Sequence, residues 1–114
     1  MNKVILVTGA AKRIGKQIVK EFFTIDFNII VHFNSSSEDA INLCNELNAI
    51  RPDSAISIQA NLDHMSDVKN LASQAMSAFG RIDGLINNAS TFYPTPMGEF
   101  SEKDWDALMG SNLK

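Results

Sequence analysis

The stretch VTGAAKRIG, from Val7 to Gly15, directly follows an apolar run and has residue types that suit the binding of an anion. Gly9 and Gly15 carry no side chain, so a ligand can come close to the backbone between them. Lys12 and Arg13 add two positive charges beside the same opening. If a helix begins here, its first N–H groups lack intrahelical partners and favour a negative ligand. The stretch therefore predicts a phosphate site; the alternative is a tight turn that needs glycine for its backbone alone.

A strand, a turn of small residues and a helix at the start of an α/β chain are the expected place for the pyrophosphate of a dinucleotide. The glycine pattern is not the complete G-x-G-x-x-G, because Arg13 stands in the place of the middle glycine. The turn thus predicts a dinucleotide site whose opening carries a fixed positive charge.

Two alternating patterns define the elements that must position this turn. Continuous apolar runs are typical of strands covered on both faces of a parallel sheet. Apolar residues at helical spacing lie between the runs, and Gly80 stands where a helix C-cap is expected. The predicted strands are Val4–Val7, Ile29–Phe33, Ala55–Ile58 and Ile82–Ile86. The predicted helix faces are Ile14, Ile18, Val19, Phe22 and Phe23 in the first helix, Ile41, Cys44, Leu47 and Asn48 in the second, and Val68, Leu71, Ala72, Ala75, Met76 and Phe79 in the third.

This alternation predicts an α/β fold, a doubly wound parallel sheet of Rossmann type. A last helix is predicted after the fourth strand, with Ser101 and Asp104 in capping-box positions. It has no stop signal before Lys114, and the fourth strand is expected at an uncovered sheet edge. We therefore expect residues 1–114 to be the N-terminal part of a single NAD(P)-binding domain, truncated after the fourth strand and the start of the next helix.

Composition argues against several other classes of protein. The chain has 114 residues, of which 45% are apolar and 20% charged, the balance of a globular domain. Its net charge of −3 argues against binding to nucleic acid or to an anionic membrane. A single cysteine, Cys44, allows no intrachain disulfide. No segment approaches the ~20 apolar residues of a membrane span. We expect a cytoplasmic protein without a metal site.

The end of the second predicted strand bears on the choice between NAD and NADP. An acidic side chain there binds the ribose 2′-hydroxyl of NAD and repels the 2′-phosphate of NADP. The sequence HFNSSSEDA has no acid until Glu38. Its amide and hydroxyl donors, together with the nearby Arg13, favour a 2′-phosphate and hence NADPH. Ser35 or Ser36 can also serve as a helix N-cap, with Glu38 or Asp39 closing a capping box.

Three motifs, TGAAKRIG, NNAS after the fourth strand and SNL in the last helix, resemble those of the short-chain dehydrogenase/reductase family in order and spacing. Within that family, Arg13 and the stretches HFNSS, LNAIRPDSAISIQANL and NNASTFYPTPM resemble the pteridine reductases. The resemblance runs from Val4 to Lys114. It implies an NADPH-dependent reduction of a pterin or dihydrofolate-type ring, in which hydride passes from the nicotinamide to a ring carbon–nitrogen double bond.

The resemblance also implies roles for individual residues. Arg13 would contact both cofactor phosphate and pterin, Ser90 would face the pterin beside the nicotinamide ribose, and Phe92 would stack on the pterin. Asn112 matches the family's active-site asparagine, which helps to hold a proton-relay water. The implied cofactor contacts are Gly9, Lys12, Arg13, Ile14, Gly15, His32, Phe33, Asn34, Ser35, Ser36, Asn61, Leu62, Asn88, Ala89 and Ser90.

Two positions depart from the family pattern. Asn61 stands where the family usually has an aspartate that accepts a hydrogen bond from the adenine amino group, and the Asn61 amide oxygen can still accept one. Ser35 stands where pteridine reductases commonly carry an arginine for the 2′-phosphate, which weakens the expectation of NADP without supplying an acid that favours NAD.

The family's proton-donating tyrosine and its lysine are expected beyond residue 114. Tyr93 is the only tyrosine, and Met97 four residues later excludes a Y-x-x-x-K motif there. Hydride transfer needs a proton donor, so we expect residues 1–114 alone to be inactive and the full-length protein to be a reductase. The resemblance also implies a homo-oligomer for the full-length protein, in this family often a tetramer. Two alternatives stay open. One is a family member that reduces a carbonyl such as a 3-oxoacyl thioester; the other is a non-catalytic nucleotide-binding fragment or interaction protein.

Overall fold

The computed structural model describes residues 2–88, in which strands and helices alternate strictly. Each strand is a short, apolar segment, and each helix follows it across one face of the sheet. The elements are β1 (Val4–Val7), α1 (Arg13–Thr24), β2 (Asn28–Phe33), α2 (Ser37–Ile50), β3 (Ala55–Gln59), α3 (Met65–Phe79) and β4 (Gly84–Ile86). The order predicted from the apolar runs is therefore confirmed.

The four strands form one parallel sheet in the order β3-β2-β1-β4. Leu6 pairs with Ile30 of β2 on one side and with Leu85 of β4 on the other, so β1 lies inside the sheet. The strand order reverses direction at β1, because β2 and β3 extend to one side of it and β4 to the other. This arrangement is the doubly wound sheet predicted from the sequence, and ligands of such sheets bind at the carboxyl ends of the strands beside the reversal.

The core has two parts, one on each face of the sheet. Ile5 and Val7 of β1 pack with residues of α1 and α2, whereas Val4 and Leu6 pack with residues of α3. All four β1 side chains are fully buried. Because successive side chains of a strand point to opposite faces, a strand covered on both faces must be apolar throughout. The continuous apolar runs of the sequence have this cause.

The helices differ in detail from the predicted apolar faces. Ile14 is 69% exposed, Ile41 51% and Met76 41%, so these three predictions of core positions were wrong. Ile14 lies in the first turn of α1 and belongs to neither of the two core clusters. In α2 the buried stripe runs through Ala40, Leu43, Cys44 and Leu47, one residue out of phase with Ile41.

The ends of the elements follow local backbone chemistry. Gly80 adopts a left-handed conformation (φ 78°) at the end of α3, as predicted for a C-cap glycine. β4 begins at Gly84 rather than at Ile82, because the Asp83 side chain accepts the N–H of Val4 across the start of the sheet. Among residues 2–88 no helix is long and apolar enough to cross a membrane.

Candidate cofactor-binding site

The turn after β1 is tied to β2 by two backbone N–H groups. Gly9, with φ 58°, donates its N–H to Nδ1 of His32 over 3.0 Å. The N–H of Ala10 donates to the carbonyl oxygen of His32, also over 3.0 Å. The N–H groups of Gly9 and Ala10 are therefore used within the protein, by contacts to β2. A positive φ at Gly9 is what allows the chain to reverse here at low cost.

His32 lies inside the protein and not at the opening. Its side chain is 2% exposed, and Nε2 lies 2.8 Å from the carbonyl oxygen of Ala60, just after β3. Burial keeps the pKa of His32 below its ordinary value, and the hydrogen bond to Ala60 acts in the opposite direction. Both ring nitrogens are bonded within the protein, and the cofactor contact expected at His32 stays a prediction.

Gly15, in the first turn of α1, packs directly against the turn. A Cβ atom at this position would lie 2.2 Å from the Gly9 carbonyl oxygen and 2.9 Å from Nδ2 of Asn88. The Asn88 amide in turn donates to the Gly9 carbonyl oxygen over 3.1 Å. Helix α1 thus approaches β1 and the end of β4 as closely as a residue without a side chain permits. The absence of a side chain at Gly15 is what permits this contact.

Thr8 and Asn87 join the ends of β1 and β4 beneath the turn. Both are buried, and the Thr8 hydroxyl donates to Oδ1 of Asn87 over 3.0 Å. The Thr8 N–H donates to the carbonyl oxygen of Ile86. Neither side chain was predicted from the sequence to have a role. A threonine between an apolar run and a glycine, and a first asparagine in NNAS, are the signals that point to such a link.

The amino end of α1 is the part of the site that can hold an anion. Its first N–H groups, from Arg13 onward, have no intrahelical acceptor, and the N-cap residue Lys12 forms no side-chain capping bond. The first turn contains no acidic residue. Arg13 has φ 55° and is exposed, as is Lys12. Lys12 also forms a half-exposed ion pair with Asp39 over 3.4 Å. Unpartnered amides beside two cations fit a diphosphate group.

The end of β2 exposes polar side chains next to this opening. Asn34 and Ser35 are exposed, and Nε2 of Gln59 donates to both the carbonyl oxygen and Oδ1 of Asn34 at 3.2 Å. Ser36 occupies the N-cap position of α2, as one alternative predicted, but it forms no side-chain capping bond. The first acids after β2, Glu38 and Asp39, lie in the first turn of α2.

The end of β3 places Asn61 on the same edge of the sheet. Its Oδ1 accepts the N–H of Asp63 over 2.9 Å, and its own N–H donates to Oδ2 of Asp67 over 2.8 Å. Asn61 and Leu62 are both half-buried. The Asn61 amide oxygen, expected to accept from adenine, already accepts one hydrogen bond within the loop, and a carbonyl oxygen can accept a second.

No strongly reactive side chain is found near this edge in the described part of the chain. Burial raises the pKa of the Cys44 thiol to about 11, partly offset by a hydrogen bond with Ser57. Residues 2–88 contain no group of three potential metal-ligating side chains.

A family model described as short chain dehydrogenase matches residues 3–114, nearly the whole chain. The chain belongs to the short-chain dehydrogenase family. Members of this family bind NAD or NADP. The chain is 38% identical over 111 residues to a protein named pteridine reductase 1 from Leishmania tarentolae, an alignment that covers 82% of the chain and 38% of that protein.

Other relatives of this short-chain dehydrogenase have a different name. It is 33% identical over 114 residues to 3-oxoacyl-acyl-carrier-protein reductase from Staphylococcus epidermidis, and 34% identical to the protein of that name from Staphylococcus aureus. Each of these alignments covers 100% of the chain and 46% of the relative. The chain thus spans less than half the length of the curated relatives it matches.

Four of the residues predicted to form the site lie outside the described residues, as do the capping residues predicted for the last helix. The site residues concerned are Ala89, Ser90, Phe92 and Asn112, and the capping residues are Ser101 and Asp104. Among the residues that are described, the structure brings Gly9, Gly15, His32 and Asn88 into one hydrogen-bonded and packed cluster.

Proposed function

We propose that this short-chain dehydrogenase binds NADPH, with the diphosphate at the amino end of α1. The observation that carries the proposal is the contact of Gly15 with the Gly9 carbonyl oxygen, which leaves no room for a Cβ atom. This contact fixes the turn against α1, while the first helix amides, from Arg13 to Gly15, have no intrahelical acceptor. A fixed array of N–H groups beside positive side chains can bind a diphosphate without first having to be ordered.

The preference for NADPH over NADH is supported by the end of β2. No acidic side chain follows the strand until Glu38, and Asn34 and Ser35 are exposed there. Lys12 lies near enough to α2 to pair with Asp39. Since such half-exposed ion pairs are weak, Lys12 can exchange its carboxylate partner for a 2′-phosphate at little cost.

We propose that the whole protein is an oxidoreductase that reduces a pterin or a dihydrofolate-type ring. NADPH, when bound, supplies the hydride. The similarity to a protein named pteridine reductase 1 and the motif NNASTFYPTP support this substrate class. Here Ser90 and Arg13 would contact the pterin and Phe92 would stack on it, which orients a flat heterocycle for transfer. Asn112 would help to hold the water that relays a proton. A homotetramer is proposed for the whole protein.

A second candidate function is the reduction of a 3-oxoacyl thioester. It is favoured by relatives of that name that align with all 114 residues of the chain. The two substrates make different demands, because a pterin needs an aromatic stacking partner whereas a thioester carbonyl does not. Phe92→Ala in the full-length protein is expected to raise the KM for a dihydropterin far more than the KM for NADPH. Activity on a 3-oxoacyl thioester with none on dihydropterins would instead establish the second candidate.

Calorimetric titration of the chain with NADPH and NADH tests the cofactor proposal. We expect saturable binding, tighter for NADPH, and a loss of about tenfold in NADPH affinity for Arg13→Ala, the size of one charge-assisted contact. Lys3→Ala is the matched control, because Lys3 is an exposed cation directly before β1, at the opposite end of that strand from the turn. Equal effects of the two substitutions would remove Arg13 from the site. No saturable heat with either dinucleotide would contradict the proposed function.

A further inference from the structure

His32 connects three segments that end at the same edge of the sheet. It lies in β2, its Nδ1 is 3.0 Å from the N–H of Gly9 after β1, and its Nε2 is 2.8 Å from the carbonyl oxygen of Ala60 after β3. Its own carbonyl oxygen accepts the N–H of Ala10. His32 therefore accepts the N–H of Gly9 with its ring and the N–H of Ala10 with its backbone carbonyl oxygen.

The chemistry of the two ring contacts allows only one form of the imidazole. A carbonyl oxygen can only accept, so the contact with Ala60 requires a proton on Nε2. A backbone N–H can only donate, so the contact with Gly9 requires a lone pair on Nδ1. The other neutral tautomer fails at both contacts, and an imidazolium would direct a second N–H at the N–H of Gly9. With the ring 2% exposed, water cannot readily replace either partner.

We propose that His32, as the neutral Nε2–H tautomer, is the positioning residue of the diphosphate-binding turn. This inference rests on the proposed function and adds to it a residue that does not touch the cofactor. His32 directs the N–H groups of Gly9 and Ala10 into the sheet, and Asn88 holds the Gly9 carbonyl oxygen from the other side. The turn is thereby fixed with the next amides, at the start of α1, facing the ligand.

The tautomer can be observed directly by two-bond 1H–15N NMR of the imidazole rings. The chain has two histidines, and the second, His64, is an exposed N-cap residue of α3, so His64→Gln identifies the His32 signals. We expect a protonated Nε2 and an unprotonated Nδ1 at neutral pH. A proton on Nδ1 would overturn the inference, and this result does not depend on whether any dinucleotide binds.

Two substitutions separate the link to the turn from the link to β3. The side-chain oxygen of Asn can replace Nδ1 as the acceptor for Gly9, whereas the amide of Gln reaches as far as Nε2 and keeps only the donor for Ala60. Each variant loses one of the two ring contacts, so we expect both to be less stable than the wild type. For NADPH we expect His32→Asn to stay within about threefold of the wild-type affinity and His32→Gln to lose about tenfold.

Leu47→Ala serves as the control for destabilisation alone, because Leu47 is a buried residue of α2 away from the turn. It is expected to lower the free energy of unfolding and leave the NADPH affinity of the folded protein unchanged. If the wild type binds NADPH and His32→Gln binds it as tightly, the inference fails while the proposed function stands. If the wild type binds no dinucleotide, the proposed function fails, and the NMR result alone decides the tautomer.

Discussion

The replacement Gly15→Ala probes the closest contact of the candidate site. The new Cβ atom would lie 2.2 Å from the Gly9 carbonyl oxygen and 2.8 Å from Cα of Ala10, both backbone atoms that cannot rotate away. Ordinary van der Waals contact begins at 3.4 Å, so the turn and α1 must separate by about 1 Å. The same movement stretches the hydrogen bond between Asn88 and Gly9.

Two opposing effects set the size of the change. Alanine is a better helix former than glycine by about 1 kcal/mol. Forcing an extra carbon into a close-packed place costs about 1–3 kcal/mol, and more where backbone must move. Because both nearest atoms here are backbone, we expect a net loss of about 2 kcal/mol in the free energy of unfolding. We also expect NADPH affinity to fall by at least about tenfold, because the separation displaces the amides at the start of α1.

Urea unfolding and NADPH titration of the folded protein measure the two effects separately. Gly80→Ala is the matched control, since Gly80 has φ 78° and no atom within 4 Å of an added Cβ. It should cost about 1 kcal/mol through backbone conformation and leave NADPH affinity unchanged. Wild-type stability together with wild-type NADPH affinity in Gly15→Ala would refute the reasoning about this contact.

Two predictions concern groups outside the site. Because burial raises the pKa of Cys44 to about 11, we expect the folded chain to resist alkylation by iodoacetamide near neutral pH and to react once it is unfolded in urea; rapid labelling of the folded chain would contradict this. Burial works against ionisation of Asp83, but hydrogen bonds from Arg81 and the Val4 N–H outweigh it and lower the pKa of Asp83 below 3.8. Its contribution to stability is therefore complete above that pH and lost as the pH falls through the folded-state pKa. In urea unfolding at a series of pH values, the free energy of unfolding should fall less steeply towards acid pH for Asp83→Asn than for the wild type. An identical pH dependence of the two proteins would count against the Asp83 contacts.

The fold could be predicted from the sequence because burial on both sheet faces leaves a strong local signal. β1 was predicted to the residue, and β2 and β3 to within one residue. The signal failed for Ile14, Ile41 and Met76, where an apolar residue at helical spacing suggested a core position but the side chain is exposed. Spacing along a helix does not fix which edge of its apolar face contacts the sheet, since this depends on how the helix packs on the strands.

The site could be predicted only in part. The roles of Gly9 and Gly15 follow from residue type, because close approach and a positive φ both call for glycine. The role of His32 could not be found in this way, since its ring contacts join residues 23 and 28 positions apart in the sequence. A polar residue within an otherwise apolar strand was the available signal, and it indicates a buried hydrogen bond as readily as a ligand contact.

The most direct test of the central claim is a 1H–15N NMR titration of the chain with NADPH, following each backbone amide. We expect saturable shifts that are largest at the amides from Arg13 to Gly15 and at the end of β2, with Asn34 and Ser35. Shifts confined to the carboxyl end of α1, or no saturable shift at any amide, would contradict the assignment of a dinucleotide site to the turn after β1.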